Sequence, residues 1–232
     1  MPEFYANNIA TALEECQKSG NRALFVPEIV DRRIKAKPNE PIWHTWYCTP
    51  SITVTGKTSQ GSAVVLYVHI PNYSADPKNI TETIGKKLVN GAGKMPRPEF
   101  ERLIALAEEE GDSVFIIPHE RLKGSKTGLI SIDDALNNPQ TAAFLGGEKR
   151  AKEYLKRHQE VYKSTIGTWY HDDLCNEPVW RFLQVDCSSD DGFYSVNSID
   201  RAARFLCEAA KAMKQEKKPD SSSSSDSQPE DQ

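Results

Sequence analysis

The longest apolar run in the chain, Ala63-Val64-Val65-Leu66-Tyr67-Val68-His69-Ile70-Pro71, limits its own surroundings severely. Val64, Val65, Leu66 and Val68 do not alternate with polar residues, so both faces of the segment require burial. β-branched and aromatic residues dominate it, and Gly61 and Pro71 bracket it. A buried central strand satisfies these constraints better than a turn of buried helix. A chain holding such a strand needs further strands beside it and helices over it.

Those elements are legible around the run. Ile52-Thr-Val-Thr55 and the turn-like Gly56–Gly61 predict an antiparallel partner for the central strand. Residues 42–48 alternate as a strand, with His44, Trp46 and Cys48 on one face. Residues 23–26 read as a short strand, and residues 31–40 as a solvated basic connection. Helical periodicity predicts helices over 3–19, 76–89, 98–110, 148–163 and 198–213. Strands follow over 113–117, 166–170 and 180–187. The reading is an α/β or α+β fold: a mixed sheet of about six to seven strands, an N-terminal antiparallel region and helices packed on the sheet. Residues 1–215 form a single domain in this reading.

Composition enters at the C-terminus. Residues 216–232 hold five acids and two lysines among serines, prolines and glutamines, which predicts a disordered acidic tail. That tail carries −3 of the formal net charge of −4, leaving about −1 on the body. A body without a strong field of either sign does not suit a strongly electrostatic nucleic-acid binder. Five cysteines, widely spaced and without a CxxC pair, predict reduced thiols and a cytoplasmic setting. No apolar run approaches membrane-spanning length.

The segment Leu66-Tyr-Val-His-Ile-Pro71 resembles the start of the radical-SAM segment of the oxygen-independent coproporphyrinogen oxidases. The continuation Asn72-Tyr-Ser-Ala-Asp-Pro77 lacks the cysteines that would hold an iron–sulfur cluster, so the resemblance carries no chemistry here.

Three histidines, His69, His119 and His171, stand at the C-terminal ends of predicted strands. If those strands run parallel, the three emerge at one sheet edge, where open α/β sheets place their sites. Glu120, Asp172 and Asp173 lie beside them. Imidazoles with carboxylates suit a divalent metal, and Asp172, Asp173 and Glu120 could serve water activation. This gives the first reading, a metal-dependent hydrolase acting on a phosphoester. Asn90-Gly-Ala-Gly-Lys-Met95 departs from a phosphate loop in spacing and lacks the hydroxyl residue after Lys94. Gly91, Gly93 and Lys94 nonetheless form a candidate anion site.

The second reading is not enzymatic. It is a binding or regulatory domain contacting a protein or nucleic acid through the aromatic stretch 43–47 and the basic helix 148–163. On that helix Lys149, Lys152, Lys156 and Lys163 share the outer face, while His158 falls on the apolar stripe.

Overall fold

A computed structural model describes residues 1–109, 113–162, 164–170, 174–187 and 192–210. It shows a mixed α+β fold with two sheets. The chain opens with β1 (Glu3–Ala6), α1 (Ile9–Lys18), β2 (Asn21–Ala23) and α2 (Val26–Lys35). The long β3 (Tyr47–Lys57) and central β4 (Ala63–Val68) follow, then α3 (Pro77–Ile84), the two-residue β5 (Gly93–Lys94) and α4 (Arg97–Glu109). Next come β6 (Val114–Pro118), β7 (Gly128–Ser131), α5 (Ile132–Asn137), α6 (Pro139–Leu145) and α7 (Glu148–Tyr162). β8 (Thr165–Trp169), β9 (Val179–Val185), β10 (Phe193–Ser195) and β11 (Ala203–Ala209) complete it.

The large sheet has the order β6-β4-β3-β9-β10-β8-β7, with β5 added on β9. Its pairs are antiparallel except β10 with β8, which run parallel. β4 sits inside the sheet, between β3 and β6, as its apolar run demands. α1, α3, α4 and β11 cover one face through Leu13, Ile80, Phe100, Leu103 and Phe205, packed against Trp180 and Phe182. α2, α5, α6 and α7 cover the other, where Val30, Ala135, Phe144, Tyr154 and Leu155 meet Val65, Tyr67 and Leu183. Pro50 passes through β3 where the register shifts between Cys48 and Ile52, a place that tolerates a residue without an N–H.

Several sequence expectations are corrected. The first helix begins only at Ile9, because the Asn8 side chain caps it and residues 3–6 pair with β11. Residues 26–35 are a helix, not a strand end and loop. Pro27 lies in its first turn, where a missing N–H costs nothing. Residues 41–43 form a 3-10 turn, and the strand starts at Tyr47. The helix expected over 198–213 is replaced by β11, the centre of the small sheet β1-β11-β2. Its Ala203, Phe205 and Cys207 are buried at alternate positions, a strand period hidden beneath a helical one. Cys16 and Cys207 are joined in a disulfide, against the expectation of reduced thiols throughout. The tail 216–232 lies outside the described residues.

Candidate functional site

The sheet register builds a site where the helical cover of one face runs out. Trp169 of β8 pairs with Tyr194 of β10, Tyr194 with Gln184 of β9, and Gln184 with Cys48 of β3. Residues in register share a face, so this row runs across the sheet on the side of α1 and β11. Cys48 and Gln184 are buried beneath that layer, Tyr194 is partly buried, and Trp169 is 47 % exposed. The row ends in a cavity of about 360 Å³ lined by Trp169, Tyr170, Asp186, Tyr194, Asn197 and Arg201, with Thr127 at its rim.

Each lining side chain has a defined setting. The Arg201 guanidinium lies over the Tyr194 ring, 5.7 Å from its centroid. Burial pushes the Tyr194 phenol up to about 12, so it stays neutral at ordinary pH. Asp186 is tied inward. One carboxylate oxygen accepts from Gln184 Nε2 at 3.2 Å and the other from the Cys187 amide at 2.6 Å. Tyr170 turns to the opposite face, with its hydroxyl 3.1 Å from Thr141 Oγ1 and its ring against Phe144 and Tyr67. Burial raises its phenol pKa as well.

Two buried arginines hold the loops of this site from behind, through main-chain carbonyls. Arg33 of α2 donates to the carbonyls of Ile42, Thr45 and Asp186 and to the Tyr154 hydroxyl, at 2.6–3.0 Å. Its guanidinium lies 5.6 Å from the Trp43 ring centroid. Arg181 of β9 donates to the carbonyls of Val196 (3.2 Å), Asn197 (2.6 Å) and Asn90 (2.5 Å). The Asn90-Gly91 turn also braces the loop directly, since the Ile199 amide donates to the Gly91 carbonyl at 3.1 Å. Reading the sequence missed both arginines. The available signal was a charged Arg181 inside an otherwise apolar strand, because a buried polar residue is the informative exception.

Among the described residues, His69 is not brought together with His119 and Glu120. His69 is buried at the end of β4, its Nδ1 2.9 Å from Ser51 Oγ and its Nε2 2.8 Å from the Ala143 carbonyl. Ser51 Oγ itself accepts from the Val26 amide, so its proton points to Nδ1 and the imidazole N–H is on Nε2. Both nitrogens are thereby occupied, and burial holds the ring down to about 4. His119 and Glu120 lie at the opposite end of the sheet, because β4 and β6 are antiparallel: Val68 pairs with Val114 and Val64 with Pro118. His171, Asp172 and Asp173 lie outside the described residues. Among the described residues no group of three or more His, Cys, Asp or Glu side chains could hold a metal.

Gly91 and Gly93 have packing roles. Gly91 has φ +80°, and a Cβ there would collide with the Asn197 carbonyl. A Cβ at Gly93 would fall 2.6 Å from Thr83 Cγ2 and 2.7 Å from Trp180 Nε1. Lys94 pairs with Glu177. Within the aromatic stretch 43–47, Trp43 is buried and stacked on Tyr154 and Tyr47 is buried, while His44 is exposed and Trp46 half-buried. Trp46 and Tyr5 flank Arg204. Lys149, Lys152 and Lys156 are exposed on α7, and Lys163 lies outside the described residues. No helix among the described residues is long and apolar enough to cross a membrane.

Compared with solved structures, the chain belongs to the C-type lectin fold family. The structure that shows it was described as accommodation of massive sequence variation in Nanoarchaeota by the C-type lectin fold. It is 43 % identical in sequence, with a TM-score of 0.81, over 88 % of this chain and 95 % of the other. No protein-family model and no curated protein matches the sequence. This membership, with the separation of His69 from His119, overturns the metal-dependent phosphoester hydrolase and leaves the binding-domain reading.

Proposed function

We propose that the protein is a binding domain that recognises a macromolecular partner through the cavity between β8, β10 and the 196–201 loop. The observation that carries this is the coincidence of a C-type lectin fold with a cavity whose lining side chains stand on externally braced backbone. Arg33 and Arg181 hold Asp186, Val196 and Asn197 by their carbonyls, which every residue type possesses. Side chains at 186 and 197 can therefore change while the backbone beneath them stays in place. Such an arrangement fits the sequence variation described for the related structure.

The test compares three immobilised proteins in partner capture: the wild type, a cavity variant (Asp186→Ala, Asn197→Ala, Arg201→Ala), and a helix variant with Lys149, Lys152 and Lys156 changed to Glu. Capture lost in the cavity variant and kept in the helix variant supports the proposal. The reverse pattern transfers the interface to α7 and overturns the cavity.

A further inference from the structure

We infer that the cavity selects a protein ligand presenting an acidic side chain beside an apolar one, with Arg201 taking the carboxylate and Trp169 with Leu129 taking the apolar group. This rests on the binding reading above and adds the chemistry of its ligand.

The charge argument comes from the two ionisable partners in the cavity. Asp186 has both carboxylate oxygens engaged by N–H donors of its own chain. Arg201 is different. Its guanidinium lies over the Tyr194 ring and hydrogen-bonds that side chain, and among the described residues no carboxylate forms an ion pair with it. Tyr194 beneath it is a neutral phenol that also hydrogen-bonds to the Arg201 side chain, so it does not neutralise the guanidinium. A guanidinium carries five N–H donors, so those that Tyr194 does not use can take a carboxylate through charge-assisted hydrogen bonds.

The apolar argument comes from register. Leu129 of β7 pairs with Gly167 of β8, and Trp169 lies two residues further along β8 on the same face. Leu129 is 54 % exposed and Trp169 47 % exposed. β7 is the last strand of its sheet, so this apolar strip runs from the cavity rim to the sheet edge. Two large neighbouring side chains left half in water mark a contact surface, and aromatic and arginine side chains are the usual anchors of protein interfaces. A free sugar acid would satisfy Arg201 but leave Leu129 uncovered, which favours a protein ligand.

The test selects a random heptapeptide display library on the full-length protein, on Arg201→Gln, on Arg201→Lys and on Trp169→Ala, each first shown to unfold at the wild-type temperature. The expected result is wild-type enrichment of peptides with Asp or Glu next to an aromatic or aliphatic residue. Arg201→Gln should lose the acidic preference by roughly tenfold or more, and Arg201→Lys should keep part of it. If Trp169→Ala abolishes enrichment but the selected peptides lack an acidic residue, or keep it on Arg201→Gln, the ligand chemistry is overturned while the cavity stands as the site. Enrichment unaffected by any cavity substitution, or no enrichment at all, overturns the cavity reading itself. Glucuronic acid that shifts the Trp169 indole signal in NMR, where an acetylated Leu-Glu amide does not, would move the ligand class to acidic glycans.

Discussion

His69 and His158 tie this protein's stability to pH at two residues with no part in the cavity. Burial is the main cause that holds each imidazole down to about 4, from an ordinary value of 6.5. His158 is buried against Tyr154 and Tyr162 with its Nε2 3.2 Å from the Thr165 carbonyl. Between pH 6.5 and 4 the unfolded chain binds protons at both sites and the folded chain does not, so stability rises with pH across that window. It is fully present above about 6.5 and is lost as pH falls toward 4, at most roughly 3 kcal/mol per histidine. Urea denaturation midpoints should fall steeply from pH 7 to 4.5, and His69→Gln should flatten part of that slope. An unchanged slope would show that His69 already binds its proton in the folded state. Arg33 makes a second residue-scale case. Arg33→Met leaves three carbonyls and the Tyr154 hydroxyl without their donor. Each unsatisfied buried group costs about 1–3 kcal/mol, so a loss of about 3 kcal/mol or more is expected in chemical denaturation. Arg33→Lys should recover little, because an ammonium cannot reach all four acceptors in the geometry of a planar fork.

Among the elements, the Asn90-Gly91 turn has a role that its sequence does not display. It braces the 196–201 loop, and glycine is needed at 91 because the Asn197 carbonyl takes the space of a Cβ. Gly91→Ala should therefore lower the unfolding temperature and reduce hydrogen-exchange protection at Ile199. Gly61→Ala, also at positive φ but with nothing near its missing Cβ, should cost only the backbone strain of about 1 kcal/mol. If the two variants behave alike, the brace does not hold the loop. The same element level shows what the sequence could tell. β4 was legible because its continuous apolar run and its bracketing Gly61 and Pro71 agree. α7 was legible through its apolar stripe, which carries His158 as well as Ala151, Tyr154 and Leu155. β11 was not: Ala202, Ala203, Leu206 and Ala210 satisfy a helical period, and only pairing with β1 and β2, nearly two hundred residues away in sequence, makes the segment a strand. The strand expected over 23–26 gives way at Val26 to a helix, since Pro27 suits a strand end and the first turn of a helix equally.

For the whole molecule, the deciding quantity was strand direction, which no local pattern records. The three strand-end histidines were a reasonable cluster only in a parallel sheet. With β4 and β6 antiparallel, the same sequence puts His69 and His119 at opposite ends. The cavity depended equally on long-range register, because Trp169, Tyr194 and Gln184 share a face only once β8, β10 and β9 are paired. The closure of the chain follows the same logic. The small sheet takes β1 and β2 from the start of the chain and β11 from its end, and the Cys16–Cys207 disulfide fastens α1 to β11 across a separation of 191 residues. A cross-link over so long a loop removes unfolded-state entropy worth up to about 5 kcal/mol in the chain-entropy account. Cys16→Ser with Cys207→Ser should accordingly lower the denaturation midpoint by an amount equivalent to about 2–5 kcal/mol. Adding reductant to the wild type should reproduce that shift and leave the double variant unmoved. A wild-type protein insensitive to reductant, with five titratable thiols when unfolded instead of three, would show that the pair is not bonded in solution. The small sheet would then be held by Phe205, Leu13 and their neighbours alone.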